Sequence, residues 1–434
     1  MKHRGEIWAI AFPAIVTNIT TPILGLVDVA VTGHIGAALY IGAIAVGGAM
    51  FNMLYWLFNF LRMGTTGFTA QAFGAEDNER LNLILYRSLI VGLLIGLLML
   101  VLSGPIGSTV LRFMDAADDT QELARRYFEI CIWGAPAVLM TYALSGWFLG
   151  MQNSKAQMWM AIVTNVVNIA VSIILVFGLG WKIEGVATGT LLAQWIGLAT
   201  GMTILFVKYR PAIPQLRLIF ELRQLMSFFR VNSDIFLRTA CLVAVTLWFT
   251  HAGALEGTET LAANALLMQL FLLFSFFMDG FAFAGEALTG KYIGRSDDSS
   301  LGSLIKTLLL IGLACASIFS LIYLLGGDYI IRLLAKDPRV VGDAIIYLPW
   351  AVAVPLCGFL AFVWDGVFVG LVHTRAMLLS MALALIVFFT VYLTANPYLA
   401  NHGLWLAFNA YLLTRGLILW LLYNRATHHR LNCK

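Results

Sequence analysis

Charged side chains are scarce in this sequence. Asp, Glu, Lys and Arg make up 12% of its 434 residues, about half the roughly 25% usual in soluble globular domains. With 60% apolar residues and a mean hydropathy of +0.86, the chain cannot cover a water-facing surface. That scarcity excludes a soluble enzyme, a disordered chain and a nucleic-acid-binding domain. Cysteine supplies no framework. Cys131, Cys241, Cys315 and Cys357 lie inside apolar runs and Cys433 at the tail, with no CxxC or Cys/His spacing, so neither a zinc site nor a disulfide scaffold is expected. Catalytic signatures are missing as well: there is no Walker P-loop, no GxSxG and no HExxH. His251, His373, His402, His428 and His429 are scattered over span ends and loops. No enzyme activity, no metal and no cofactor are expected.

What is present is a series of long apolar stretches. Residues 88–111, 130–154, 156–181, 185–207, 260–278, 307–327 and 344–364 contain no acidic or basic side chain. Each approaches the roughly 20 residues that a helix needs to cross a bilayer core. Their apolar character is continuous rather than alternating, which excludes barrel strands. A helix satisfies its own backbone in lipid, so an all-α polytopic membrane protein is expected. Twelve spans are placed at about 7–35, 39–72, 83–109, 120–150, 156–178, 183–208, 226–252, 259–292, 301–326, 340–370, 375–396 and 401–424. The breaks are set at turn chemistry: MDAADD, GMQNSK, GLGWKIEG, GRSDDSS, GGDY and NPYLANHG. The opening MKHRGEIWAIAFPAIV resembles a signal peptide, but Pro13 interrupts its apolar stretch and many spans follow. It is read as a retained first helix.

The basic stretch 207–230, with two prolines, lies near the middle of the chain. It divides the sequence into an N-terminal six-helix lobe (1–208), a linker (209–225) and a C-terminal six-helix lobe (226–434). With the N-terminus inside, 15 basic residues fall on inner segments against 7 on outer ones, which predicts both termini in the cytoplasm. The basic linker suits anionic lipid headgroups. The halves are also related. At a constant offset of 220, Thr69 meets Thr289, Gly74 meets Gly294, Arg112 meets Arg332 and Tyr127 meets Tyr347. Gly146, Phe148 and Gly150 likewise meet Gly366, Phe368 and Gly370. Six spans per half make this a parallel repeat about the membrane normal, as some transporters use.

Polar groups inside the spans mark candidate sites, since a charge at mid-membrane costs roughly 2.5–3.5 kcal/mol on insertion scales. Asp28 stands in an apolar and hydroxyl run with no cation nearby in sequence. It lies about 10 Å below the outer end of its helix, counting roughly 1.5 Å per residue. Desolvation raises the pKa of such a lone carboxylate, so it can carry a proton near neutral pH. Asn165, Asn168 and Ser172 share one face of the fifth span. Thr190 on the sixth lies at a similar depth, which predicts a polar pocket in the N-terminal half, against the alternative of helix–helix glue. Pro13 and Pro22 predict kinks in the first helix. In the other half, the offset puts Trp248 where Asp28 stands. Asp234 and Arg238 are expected to form an intrahelical pair, and Arg62 and Arg415 to snorkel. Asp279, Glu286 and Asp365 shape a second polar site or cap backbone groups at helix breaks. Dense aromatics and methionines, wherever they line a cavity, suit flat cationic ligands.

FPAIVTNITTPILGLVDVAVTGHIG, GTTGFTAQAFGA, LSGWFLGMQNS, TNVVNIAVSIILVFGLG and GVATGTLLAQ, in this order and spacing, resemble the multidrug and toxic compound extrusion (MATE) transporters. The similarity is to their bacterial DinF-like branch, and WDGVFVG and MDGFAFAGEALTG extend it through the second half. The resemblance implies a V of two pseudo-symmetric lobes with a substrate cavity, alternating access, and efflux of amphipathic cationic or aromatic drugs against H⁺ or Na⁺. It matches the family's first-helix acid to Asp28, its kink proline to Pro13, its fifth-helix Asn to Asn168 and its sixth-helix Thr to Thr190. Where many relatives carry a second acid, this chain has Ser172. One carboxylate makes a poor Na⁺ cage but suffices for a proton, so H⁺ is the expected coupling ion. A Na⁺-coupled antiporter, a flippase of lipid-linked substrates and an intramembrane transferase are the alternatives. A monomer in the bacterial inner membrane is expected, with no nucleic-acid partner.

Overall fold

The computed structural model describes residues 3–33, 38–113 and 118–432. The described residues are almost entirely helical: α1 (Arg4–Gly33), α2 (Ala38–Leu57), α3 (Phe60–Gly74), α4 (Asn78–Val101), α5 (Ser103–Phe113), α6 (Asp118–Cys131), α7 (Ala135–Gly150), α8 (Ser154–Ile173), α9 (Ile183–Ile204) and α10 (Leu216–Ile219). They continue as α11 (Leu222–Leu255), α12 (Thr258–Gly294), α13 (Asp298–Leu334), α14 (Pro338–Leu371), α15 (Thr374–Leu399) and α16 (Asn401–Asn432). Besides α1, 11 helical stretches among the described residues are long and apolar enough to cross a membrane. Large apolar side chains lie bare along them, such as Leu94, Leu98 and Val101 on α4 and Leu321, Leu324 and Leu325 on α13. In water such exposure would be a liability; facing lipid it is the ordinary state.

The chain forms two compact units, one of Phe12–Phe228 and one of Met1–Ala11 with Phe229–Lys434. In the first, Tyr127, Phe128, Leu139 and Ile183 pack one buried cluster, and Leu144, Trp147 and Phe148 pack another. The Trp147 indole donates to the Leu81 carbonyl at 3.1 Å. In the second, Phe388, Trp405, Phe408 and Tyr411 form the centre. There Asn264 and Asn401 exchange amide hydrogen bonds of 2.8 and 2.9 Å, and the Trp405 indole donates to Asn264 Oδ1 at 2.8 Å. Lipid gives apolar helices little reason to associate, so close packing and bonds of this kind carry the cohesion.

Two expected features differ. The second span is broken into α2 and α3: Phe58 and Leu61 donate to carbonyls only three residues back, at 3.0 Å each, which tightens the turn. GGDY does not end a helix, because α13 runs through it to Leu334. A Cβ on Gly327 would come within 2.8 Å of the Leu348 side chain on α14. That glycine serves a close helix crossing, and the break falls at residues 335–337 instead.

The repeat extends to backbone detail. Glu76 and Ser296, 220 residues apart, have φ of 57° and 56°. Gln152 and Val372, at the same offset, have φ of 61° and 57°. Asp77 caps α4 by accepting from the Arg80 N–H at 2.9 Å, and Asp297 caps α13 by accepting from the Ser300 N–H at 2.9 Å. A Cβ on Gly146 would stand 2.3 Å from the Arg62 carbonyl oxygen, and one on Gly366 would stand 2.3 Å from that of Ala282. Backbone cannot move aside as a side-chain tip can. Gly146→Ala and Gly366→Ala are each expected to destabilise the protein by about 1–3 kcal/mol, measured by unfolding in detergent. Gly302→Ala, which meets nothing within 4 Å, serves as the neutral control. Indifference of either buried site to alanine would show that the crossing can relax.

Candidate functional site

The polar face of α8 is where the fifth-span spacing put it. Asn168 and Ser172 are each 1% exposed. The Asn168 Nδ2 donates to Thr190 Oγ1 on α9 at 2.9 Å, and that hydroxyl donates to the Val186 carbonyl at 3.1 Å. A threonine on an apolar helix commonly satisfies its hydroxyl in this way, which leaves the oxygen free to accept from Asn168. Asn165, one turn earlier, donates from Nδ2 to the Thr20 carbonyl of α1 at 3.3 Å. Asn165, Asn168 and Thr190 therefore tie α1, α8 and α9 together. Ser172 is buried on the same face of α8.

Among the described residues, two buried atoms on this face, Asn168 Oδ1 and Ser172 Oγ, meet no hydrogen-bond partner. An unsatisfied buried polar group costs about 1–3 kcal/mol. These two atoms, an acceptor and a hydroxyl, lie one helical turn apart on α8.

On α1 the Thr17 hydroxyl donates to the Pro13 carbonyl at 2.9 Å, and the Thr20 hydroxyl to the Thr17 carbonyl at 2.8 Å. Pro13 and Pro22 both lie inside the helix, and neither offers an N–H to the ladder. Asp28 is a residue of α1, and its side chain lies outside the described residues.

The second unit corrects two expectations. Arg238 does not pair with Asp234 but reaches Asp365 on α14. Asp234 instead accepts from the Thr374 hydroxyl at 2.8 Å. Arg415 does not snorkel; it is 4% exposed and donates to the same Asp365 oxygen. Helix spacing favoured the local pair, but α14 and α16 bring a better-desolvated partner. Glu286 is buried and Asp279 half-buried on α12. Sequence reasoning missed the grouping, although two arginines and an acid inside charge-poor spans were its signal.

Outside the first span, Glu6 accepts from Lys291 Nζ at 2.8 Å and from the Tyr292 hydroxyl at 2.6 Å. Burial pushes its carboxyl up, but the bonds from Lys291 and Tyr292 outweigh this and hold it below the usual carboxylate range. Among the described residues, no group of three or more His, Cys, Asp or Glu could hold a metal ion.

Long apolar helices and an internal repeat define a polytopic helical membrane protein. A family model described as MatE matches residues 13–174 and 235–393, most of the chain. The chain belongs to the MatE family of transporters. It is 36% identical to DNA damage-inducible protein F of Escherichia coli K12, over 96% of this chain and 92% of that one. It is 25% identical to a probable multidrug resistance protein NorM of Acinetobacter baylyi, over 92% of this chain and 91% of that one. Its fold matches a crystal structure of a MATE protein in the bent conformation, with a TM-score of 0.89, 18% identity, and 100% and 98% of the two chains covered. It also matches one in the straight conformation, with a TM-score of 0.84, 20% identity, and 99% and 97% covered.

Proposed function

We propose that this protein is a secondary multidrug efflux transporter of a bacterial inner membrane, with both termini cytoplasmic. It exchanges protons for amphipathic organic cations by alternating access, and Asp28 is its proton carrier. One observation carries the proposal: the unsatisfied pair Asn168 Oδ1 and Ser172 Oγ on α8. A protonated carboxyl donates one hydrogen bond and still accepts, whereas a carboxylate only accepts. Asn168 Oδ1 suits the protonated acid, and the Ser172 hydroxyl suits either form. The same α8 face holds α1 through Asn165, so a change of partners at Asp28 reaches a helix already weakened by Pro13 and Pro22. A cationic drug then competes electrostatically with the proton, which makes exchange obligatory. The absence of a second acid at Ser172 supports H⁺ over Na⁺.

The test is efflux of a fluorescent cationic dye from cells or proteoliposomes with imposed gradients. A proton gradient is expected to drive efflux at constant Na⁺. Efflux driven by Na⁺ alone would assign the coupling to Na⁺. Absence of dye transport under both gradients, with lipid-linked substrate translocated instead, would make the protein a flippase.

A further inference from the structure

We infer that the linker end of the first unit carries a binding site for the phosphate headgroup of an anionic lipid. A cavity of about 410 Å³ opens there, with Arg80, Arg87 and Arg223 on its wall against the single acid Glu221. Phe68 and Phe228, stacked at 6.1 Å between ring centroids, also line it. The linker owes its shape to Arg87. This guanidinium is 4% exposed. It donates to the Ile219 and Leu218 carbonyls at 3.1 and 3.0 Å and to Gln224 Oε1 at 3.4 Å. All three acceptors are neutral, so the bonds fix the side chain without cancelling its charge.

A buried, immobilised cation beside two exposed ones on a concave wall makes a field that selects anions. A phosphate fits because a guanidinium offers it paired N–H donors, and Ser227 adds a hydroxyl to the wall. The rim identifies the source. Phe220, Leu222 and Met226, next in sequence to residues of the cavity wall, are 54%, 71% and 62% exposed. Bare apolar side chains next to an arginine cluster suit the boundary between headgroups and acyl chains, where basic residues attract anionic lipid. A soluble phosphate would use the arginines but not this rim. The site is separate from α8 and Asp28, and it stands whether or not these carry the proton.

The experiment uses the purified full chain. Native mass spectrometry and thermal unfolding compare added phosphatidylglycerol, phosphatidylcholine and soluble glycerol phosphate. Phosphatidylglycerol is expected to bind and stabilise selectively. Arg80→Gln with Arg223→Gln, both at exposed positions, is expected to weaken it about thirty-fold, the scale of two basic residues against an anionic surface, and to leave phosphatidylcholine binding unchanged. Equal binding of the two lipids, or undiminished selectivity in the double variant, would overturn the site. Glycerol phosphate as effective as the lipid would overturn the lipid assignment.

Discussion

Asp28→Asn is expected to abolish proton-driven dye efflux while the protein still inserts and unfolds at the wild-type temperature. Asparagine keeps the size and the hydrogen-bonding shape of the acid but cannot titrate. On the proposed mechanism it resembles the protonated form permanently, so the return half of the cycle fails. Substrate binding should survive better than transport, because the variant loses the exchange step rather than the cavity. Asp28→Glu keeps the titrating group and should restore part of the rate. A conformational measurement goes with it: spin-label distances along α1 should change between pH 5 and pH 8 in the wild type and be fixed in Asp28→Asn. The straighter helix is expected at high pH, with Asp28 ionised. Wild-type efflux by Asp28→Asn would remove Asp28 from the mechanism. An α1 unchanged by pH in a protein that still pumps would move the coupling to Asp279, Glu286 or Asp365.

Asp365→Asn should cause the largest loss of stability. Asp365, Arg238 and Arg415 are 7%, 8% and 4% exposed, and the single carboxylate serves both guanidiniums. Among the described residues, the Nε of each arginine is buried without a hydrogen-bond partner. Removing the acid takes away the carboxylate to which both guanidiniums are bonded. Breaking a buried ion pair from one side costs about 3–5 kcal/mol, and this is the destabilisation expected in detergent unfolding. Arg415→Met should cost much less, because it leaves a neutral Arg238–Asp365 pair. Arg415→Met added to Asp365→Asn should recover part of the loss. Stability of Asp365→Asn equal to wild type, or Arg415→Met the more damaging change, would show that the cluster is wetter or otherwise satisfied.

Those arginines show where the sequence was legible. Spacing along one helix is one-dimensional information, and it found the α8 face of Asn165, Asn168 and Ser172 because their spacing of three and four residues alone fixes that face. The same logic paired Arg238 with Asp234 four residues away, and there it failed. The partner of Arg238 lies 127 residues on, and no local pattern points to it. The bond between Asn168 and Thr190 lies between these cases. Similar depth put Thr190 in one pocket with this face, with Asn168 slightly deeper, but the contact needed the packing of α8 on α9. The empty valences of Asn168 and Ser172 could not be read at all, since an orphan is defined by neighbours that the sequence does not order. GGDY failed for a related reason. Glycine signals a turn or a crossing, and only the opposing Leu348 decides which. The 220-residue offset succeeded because both copies of each loop, down to the left-handed Glu76 and Ser296, obey the same local chemistry.

The first helix has a mechanical consequence. Residues 4–33 form one helix, yet its first residues, through Ala11, belong to one compact unit and those from Phe12 onward to the other. Pro13 stands two residues past that seam, where it deprives the rod of a rung. The helix continues through this proline to Gly33. Its short arm is held by Glu6 on Lys291 and Tyr292, and its long arm carries Asp28. Because Glu6 is held below its usual range, this latch is closed at neutral pH and opens only as pH falls through that lowered value. The start of α1 is thus anchored by an ion pair that persists through neutral pH, just ahead of the proline that weakens the helix.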